Sequence, residues 1–236
     1  MLKKILIIAL LLVGFPSTAQ KIVFGVKGGI NWNSIGTLYH LGTSSGGGSN
    51  VTPAGDFIYE ADQTMGTQFG GFVMFEWKRL FLRPELNFST RKNEYPLALN
   101  TSYWEQQSTD ISILAGVRVW KPVKIYAGPS FNSISEMTMT GPETPILYEG
   151  SATNIQAGLM VDFKWFGVDL RYEYGLQTIP EQRVDILRSA YGTNVAYLQE
   201  YNQSTIYLTA HINIFRIYPG QGGGKPKTKW RNKNCF

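Results

Sequence analysis

Two histidines, His40 and His211, and a single cysteine, Cys235, are all this 236-residue chain offers for activating a nucleophile or holding a soft metal. A thiolate zinc site needs several Cys and His ligands, and one cysteine cannot close an internal disulfide. A lipid hydrolase would need a nucleophile and a base side by side. His211 instead falls on the polar face of an alternating segment, where it is expected to hydrogen-bond, and His40 lies in a long connection, where solvent is its default neighbour. Asp56, Glu60 and Asp62 carry the oxygen ligands Ca²⁺ prefers but lack the spacing of an EF-hand loop, and are read as solvated acids. The runs Gly46-Gly47-Gly48 and Gly222-Gly223-Gly224 lack the lysine and hydroxyl of a phosphate loop and read as flexible links. No catalysis and no cofactor is therefore expected. The chemistry the residues do support is electrostatic. Lys27, Arg83, Arg118, Lys124 and Arg171 stand against Glu76, Glu85, Asp110, Asp162, Asp169 and Glu173, all at alternate positions of otherwise apolar segments.

Those segments are what must position the charges. Hydrophobic residues make up 43% of the chain and charged ones 17%, too apolar for disorder, and the dominant period between residues 21 and 215 is two, the mark of strands with unlike faces. Eight strands are predicted: Ile22–Asn31, Thr67–Trp77, Leu80–Ser89, Thr109–Val119, Val123–Phe131, Asn154–Phe163, Phe166–Gly175 and Ser204–Phe215. One face carries residues such as Val26, Phe69, Leu82, Ile111, Ile125, Leu159, Leu170 and Ile212, and none of its positions is charged. The other carries the charges above, with Asn31, Gln68, Asn87, Asn154, Gln156, His211 and Asn213.

The connections say which face is inside. Lys78-Arg79, Trp120-Lys121-Pro122 and Lys164-Trp165 are very short, whereas roughly 32–66, 90–108, 132–153 and 176–203 are long. Short turns at one end and long loops at the other describe an antiparallel up-and-down transmembrane β-barrel, with the short turns periplasmic and the loops outside. Trp77, Trp120 and Trp165, with Phe163 and Phe166, gather at the short turns as an aromatic girdle, and Lys78, Arg79, Lys121 and Lys164 are placed to snorkel there. In hydrocarbon every backbone group needs an internal partner, so the eight strands must close. An eight-stranded lumen is narrow enough for side chains to fill. Five inward bases against six inward acids predict a lumen plugged by ion pairs rather than a selective pore, which more often carries one sign in excess. Pro84 and Pro129 each remove a ladder donor, so bulges or membrane-boundary positions are expected there.

Residues 1–20 read as a secretion signal: Lys3 and Lys4, an apolar run from Ile5 to Val13, then Ser17 and Ala19, with cleavage after residue 19 or 20. The remaining chain carries 20 bases against 17 acids, and Arg216, Lys225, Lys227, Lys229, Arg231 and Lys233 crowd its end without an acid. Residues 21–215 are thus mildly acidic, which argues against nucleic acid as a partner of the folded body. Residues 216–236 form a basic, Gly- and Lys-rich tail, expected to be periplasmic and disordered.

FGVKGGIN (Phe24–Asn31), LRPELNFS (Leu82–Ser89), YAGPSF (Tyr126–Phe131), DLRYEYGL (Asp169–Leu176) and a last strand ending at Phe215 resemble the PorT-like outer-membrane β-barrel family common in Bacteroidota. The resemblance covers most of residues 21–215. It implies a small OmpA- or OmpX-like barrel in the outer membrane, in contact with its lipid, with Phe215 as the barrel-closing aromatic. The added tail departs from the family, whose chains usually end at that residue. Some relatives are linked to protein secretion, but no motif here ties this chain to that role. Tyr95, Tyr103, Trp104, Tyr191, Tyr197 and Tyr201 lie in the long loops, where they either anchor a partner or pack over the barrel mouth. A non-catalytic structural or accessory subunit of an envelope complex, meeting partners through loops or tail, is the leading expectation. A narrow small-solute channel and a soluble lipocalin-like binder are the alternatives.

Overall fold

The computed structural model describes residues 20–40, 57–143, 146, 148–186, 188–191 and 195–219. Its elements are, in order, β1 (Lys21–Ser34), β2 (Leu38–His40), β3 (Phe57–Tyr59), β4 (Asp62–Trp77), β5 (Leu80–Pro96), β6 (Thr101–Trp120), β7 (Val123–Met139), β8 (Ser151–Asp162), β9 (Phe166–Ile179), β10 (Gln182–Asp185), the one-turn helix α1 (Arg188–Tyr191), β11 (Val195–Leu198) and β12 (Tyr201–Ile217). Eight of the strands close a ring in the order β1-β12-β9-β8-β7-β6-β5-β4, every neighbour antiparallel. The up-and-down eight-stranded barrel expected from the period and the turns is therefore the fold.

Its apolar side chains point outward. Val26, Phe69, Leu86, Ile111, Ile125, Leu159, Leu170 and Ile212 are exposed, while Lys27, Arg83, Lys124, Asp169 and Arg171 on the same strands are buried. In water that arrangement would leave an apolar belt without a partner; in lipid it matches the solvent. The belt has a fixed height. On β6 the outward residues are apolar from Ile111 to Val119, and beyond them come Thr109, Gln107 and Glu105. On β5 they run from Leu80 to Phe88, then become Thr90, Lys92 and Glu94. About nine residues cross the hydrocarbon, as a tilted strand requires.

The strands do not stop where the belt does. β6 has 20 residues and β5 and β7 have 17 each, so the ladder continues past the belt on the long-loop side. The expected loop over residues 90–108 is in fact mostly the β5–β6 hairpin, paired out to Pro96↔Thr101. The first and last long connections add a second sheet, in the order β10-β11-β2-β3. Leu38, Tyr95, Leu97, Trp104, Val184, Ile186, Ala196 and Leu198 form an apolar core beneath it, distinct from the barrel. We call this sheet and core the cap.

Neither proline carries a bulge. On both sides of the skipped pairs next to Pro84 the register is unchanged, with Phe72↔Glu85 and Phe75↔Leu82. The same holds next to Pro129, between Ser112↔Ser130 and Ala115↔Ala127. Pro84 lies in the middle of the belt, whereas Pro129 lies near its cap-side boundary, one outward step before Phe131 and opposite Ile155, after which Ser133 and Thr153 follow. Losing one N–H drops pairs from one flank of the strand while the other flank stays complete, at Pro84↔Ile113 and Pro129↔Ile155. The register shifts lie elsewhere, as between Gln107 and Ser108 and between Phe24 and Gly25.

Candidate functional site

The period of two turns one side chain in each pair toward the barrel axis, and those side chains stack into layers. At the centre Glu85 collects three cations. It accepts from Lys27 Nζ at 2.7 Å and from Arg171 Nη1 and Nη2 at 2.9 and 3.1 Å. Arg83 Nε lies 2.8 Å away as an ion pair rather than an aligned hydrogen bond. Asp169 takes Arg171 Nη2 at 3.1 Å, Arg83 Nη1 at 3.4 Å and the hydroxyl of Tyr126. The Arg83 guanidinium also sits 4.0 Å from the centre of the Phe72 ring. All five charged groups are buried, so each depends on these partners in place of water.

Toward the cap, Arg91 ties the next layer. It donates to Ser108 Oγ at 2.7 Å, Glu173 Oε1 at 3.0 Å, the Tyr207 hydroxyl at 2.6 Å and Asp110 Oδ2 at 3.4 Å. Above it Asn33, Asn93, Gln106, Gln203 and Thr205 form an amide layer through bonds of 2.7 to 3.2 Å. Toward the short turns, Val23, Phe72, Met74, Phe81, Leu114, Tyr126 and Met160 make an apolar plug inside the lumen. Below that plug Glu76 binds Lys124, Arg118 and Lys21 at 2.6, 2.8 and 3.1 Å. Asp162 binds Lys124 at 2.7 Å, Asn213 at 3.1 Å and His211 at 3.3 Å.

Every charged residue singled out for the polar face thus lies in this interior, joined by two features sequence reasoning missed. One is Arg91, which sat in a stretch read as loop; with it and with Lys21, paired to Glu76, seven bases meet six acids in the interior among the described residues. The other is the inward apolar plug. A signal for it was present, because Phe72, Met74 and Leu114 share the parity of Glu76, Gln68 and Asp110. Small residues make room for the large ones: a side chain at Gly25 would run into the Phe72 ring, and one at Gly158 into the Tyr126 hydroxyl.

Trp120 and Trp165 stand outward at the short-turn rim, 63% and 61% exposed, with Phe163 and Phe166 exposed beside them. Arg216 and Lys164 approach the Trp165 ring at 5.7 and 5.3 Å. Trp77 is half-buried, stacked on Phe75 at 6.3 Å. Phe215 is exposed at the same rim and pairs with Phe24, beside a register shift that sets Gly25 opposite Asn213. Both ends of the barrel sequence meet there through Ile22↔Ile217.

The loop aromatics divide. Tyr95 and Trp104, each 1% exposed, belong to the cap core, so neither is a surface anchor; the continued alternation of β5 and β6 turns both inward. The Tyr95 hydroxyl donates to Gly36 O at 2.6 Å. Tyr191 and Tyr201 pack against that core and Tyr197 is half-buried on β11, while Tyr103 is 54% exposed. His40, expected in solvent, is buried on β2 with Nδ1 2.5 Å from Val195 O. The cap sheet draws it in. No group of three or more His, Cys, Asp or Glu among the described residues is placed to hold a metal. Residues 1–19, Gly46–Gly48, Asp56, the tail beyond residue 219 and Cys235 lie outside the described residues.

Known proteins give the following likenesses. The chain resembles OprG of Pseudomonas aeruginosa at 10% identity and a TM-score of 0.45, over 84% of this chain and 98% of that one. It resembles Ail, the attachment invasion locus protein of Yersinia pestis, at 10% identity and 0.35, over 84% and 99%. The toluene transporter TbuX of Ralstonia pickettii aligns at 8% identity and 0.26, over 82% and 90%. No curated protein matches the chain in sequence. The family model described as outer membrane protein beta-barrel domain matches residues 18–180, ending just after β9 and before the closing strand β12. With that match spanning more than half of the chain, an outward apolar belt of membrane height and a closed ring of eight strands, this protein belongs to the outer membrane protein beta-barrel domain family and resides in the outer membrane.

Proposed function

We propose that the protein is a sealed, non-catalytic barrel that holds a folded cap beyond the outer membrane, as a structural or accessory subunit of an envelope assembly. The observation that carries this reading is the lumen. Six acids and seven bases among the described residues occupy it in paired layers above and below an apolar plug. A conducting path needs mobile water beside unmatched charge, and this interior commits its charges to one another. In this reading the short-turn rim faces the periplasm and residues 1–20 are a cleaved signal. The basic tail starts on the periplasmic side, and the cap, with Tyr103 exposed on its flank, faces outward. Partners would meet the cap or the tail. The motif order shared with PorT-like barrels supports a place in that branch of the family.

Planar bilayers test the seal. The purified protein is expected to give no stepwise conductance, whereas regular steps in the unmodified protein would replace this reading with that of a narrow channel. Affinity purification from detergent-solubilised membranes tests the assembly. Recovery of the same envelope proteins by the full chain but not by a chain lacking residues 219–236 would assign the tail as the contact.

A further inference from the structure

The β8–β9 ladder ends early. Its last pair on the cap side is Asn154↔Gly175, yet β9 continues to Ile179 and β8 begins at Ser151. Beyond that pair β8 is held only by β7, through Ser133↔Ser151, and β9 only by β12, through Ile179↔Tyr201. Among the described residues the link across the seam is one side chain, with Thr153 N–H donating to Gln177 Oε1 at 3.4 Å. Behind this seam lies a cavity of about 240 Å³, walled by Trp104, Ile134, Met137, Ile179, Leu198 and Tyr201. Ser151 and Ala152 line one edge of it and Gln177 and Thr178 the other.

Trp104 adds the second, independent observation. It is 1% exposed, and its indole Nε1–H has no hydrogen-bond partner. Buried donors are almost always paired, so an orphan donor on a residue that lines the cavity marks a place for an acceptor. The other walls are mostly aliphatic, thioether and aromatic, with Glu149, Asn154, Gln182 and Gln203 adding polar groups at the margin. An apolar cavity of about 150 Å³ suffices for benzene. At interior packing density, about 240 Å³ takes a molecule of roughly a dozen non-hydrogen atoms.

We propose that this cavity is a binding site for a small apolar molecule carrying one hydrogen-bond acceptor, such as an aromatic ketone or ester, admitted through the β8–β9 seam and fixed by Trp104 Nε1–H. The site lies in the cap, away from the charged layers. It therefore stands whether or not the barrel conducts.

Titration calorimetry on the full chain in amphipol tests the assignment with two probes, 2-acetylnaphthalene and the acceptor-free 2-isopropylnaphthalene. Both are expected to bind saturably with one-to-one stoichiometry, the ketone more tightly. Trp104→Phe keeps the wall and removes the donor. It should weaken the ketone about 3- to 10-fold, the worth of one hydrogen bond, and leave the hydrocarbon unchanged. Ile179→Trp at the seam and Met137→Trp on the wall, both at half-buried positions, should abolish binding of both probes. Heat-modified gel mobility identifies the variants that retain a folded barrel. Non-saturable uptake equal in all folded variants would mean partition into amphipol and would overturn the proposal. So would equal losses for ketone and hydrocarbon on Trp104→Phe, because the donor would then have no acceptor to meet.

Discussion

Replacing Glu85 by Gln puts the lumen network to its most direct test. Around this residue three cations, Lys27, Arg83 and Arg171, face two carboxylates, Glu85 and Asp169. The cluster holds one positive charge in excess, and Glu85→Gln doubles that excess at a site where the side chains involved are at most 1% exposed. It also turns one of the two oxygens that accept from Lys27 and Arg171 into an NH2 donor, leaving a single amide oxygen to accept. Breaking a buried pair from one side costs about 3–5 kcal/mol, because the surviving charge stays buried without its partner. That is a large share of the roughly 5–15 kcal/mol that holds a domain folded. Lys27→Met alters the same contact from the other side and leaves two cations with two carboxylates, so it should cost clearly less. The double variant restores the original excess and should be milder than the sum of the singles by about 0.5–3 kcal/mol. Urea unfolding in lipid vesicles, followed by heat-modified gel mobility, measures each. Glu105→Gln is the control, since its pair with Lys92 spans 3.4 Å and is 39–45% exposed, worth about 1 kcal/mol or less. If Glu85→Gln is no worse than this control, the lumen is hydrated and its charges are screened, and the argument for a sealed barrel fails.

Leu170→Arg places a charge in the middle of the outward belt and should cost about 2–4 kcal/mol in the same assay, against little change for Glu105→Lys above the belt; equal effects would mean the belt does not face lipid. Gly158→Val should lower the urea midpoint, because its side chain displaces Tyr126 and with it the Arg171 Nε bond of 3.0 Å. A variant as stable as the parent would show that the Tyr126 layer adapts freely. Leu38→Ala removes a fully buried side chain from the cap core and should destabilise the cap by about 2–5 kcal/mol. Limited proteolysis should then cut at β2 and β3 while the barrel keeps its heat-modified mobility; loss of that mobility would mean cap and barrel fold as one unit.

What the sequence made legible is the part of each strand inside the membrane. There the two faces differ most in polarity, and the alternation of Leu82, Leu86 and Phe88 with Arg83, Glu85 and Asn87 leaves one reading of β5. Past Ser89 the outward residues become Thr90, Lys92 and Glu94, the contrast disappears, and the strand looks like a loop although its ladder continues to Pro96. Arg91, Tyr95 and Trp104 were misplaced for that single reason. The apolar plug was hidden by the reverse effect, since Phe72 and Met74 interrupt the polar parity of β4 without shifting its register. The cap was out of reach for another reason: β2 meets β11 across more than 150 residues of sequence, and three- or four-residue strands carry too few side chains to show a period.

The distribution of partners explains why so many charges are kept inside at all. Lipid removes the usual incentive to bury apolar side chains, so the outer face of the barrel does little to choose among strand registers. The interior does choose. Lys27–Glu85 joins β1 to β5, Lys124–Glu76 joins β7 to β4, and Arg83–Asp169 and Arg91–Glu173 join β5 to β9, none of them neighbours in the ring. A slip of one residue in β5 would turn Arg83 and Glu85 into hydrocarbon, Arg91 outward just above it and Leu82, Pro84 and Thr90 into the lumen, and every one of these cross-links on β5 would be lost together. The backbone ladder tolerates dropped pairs beside Pro84 and Pro129 because it is not what fixes the register. The charge layers do that, and they fill the lumen as they do so.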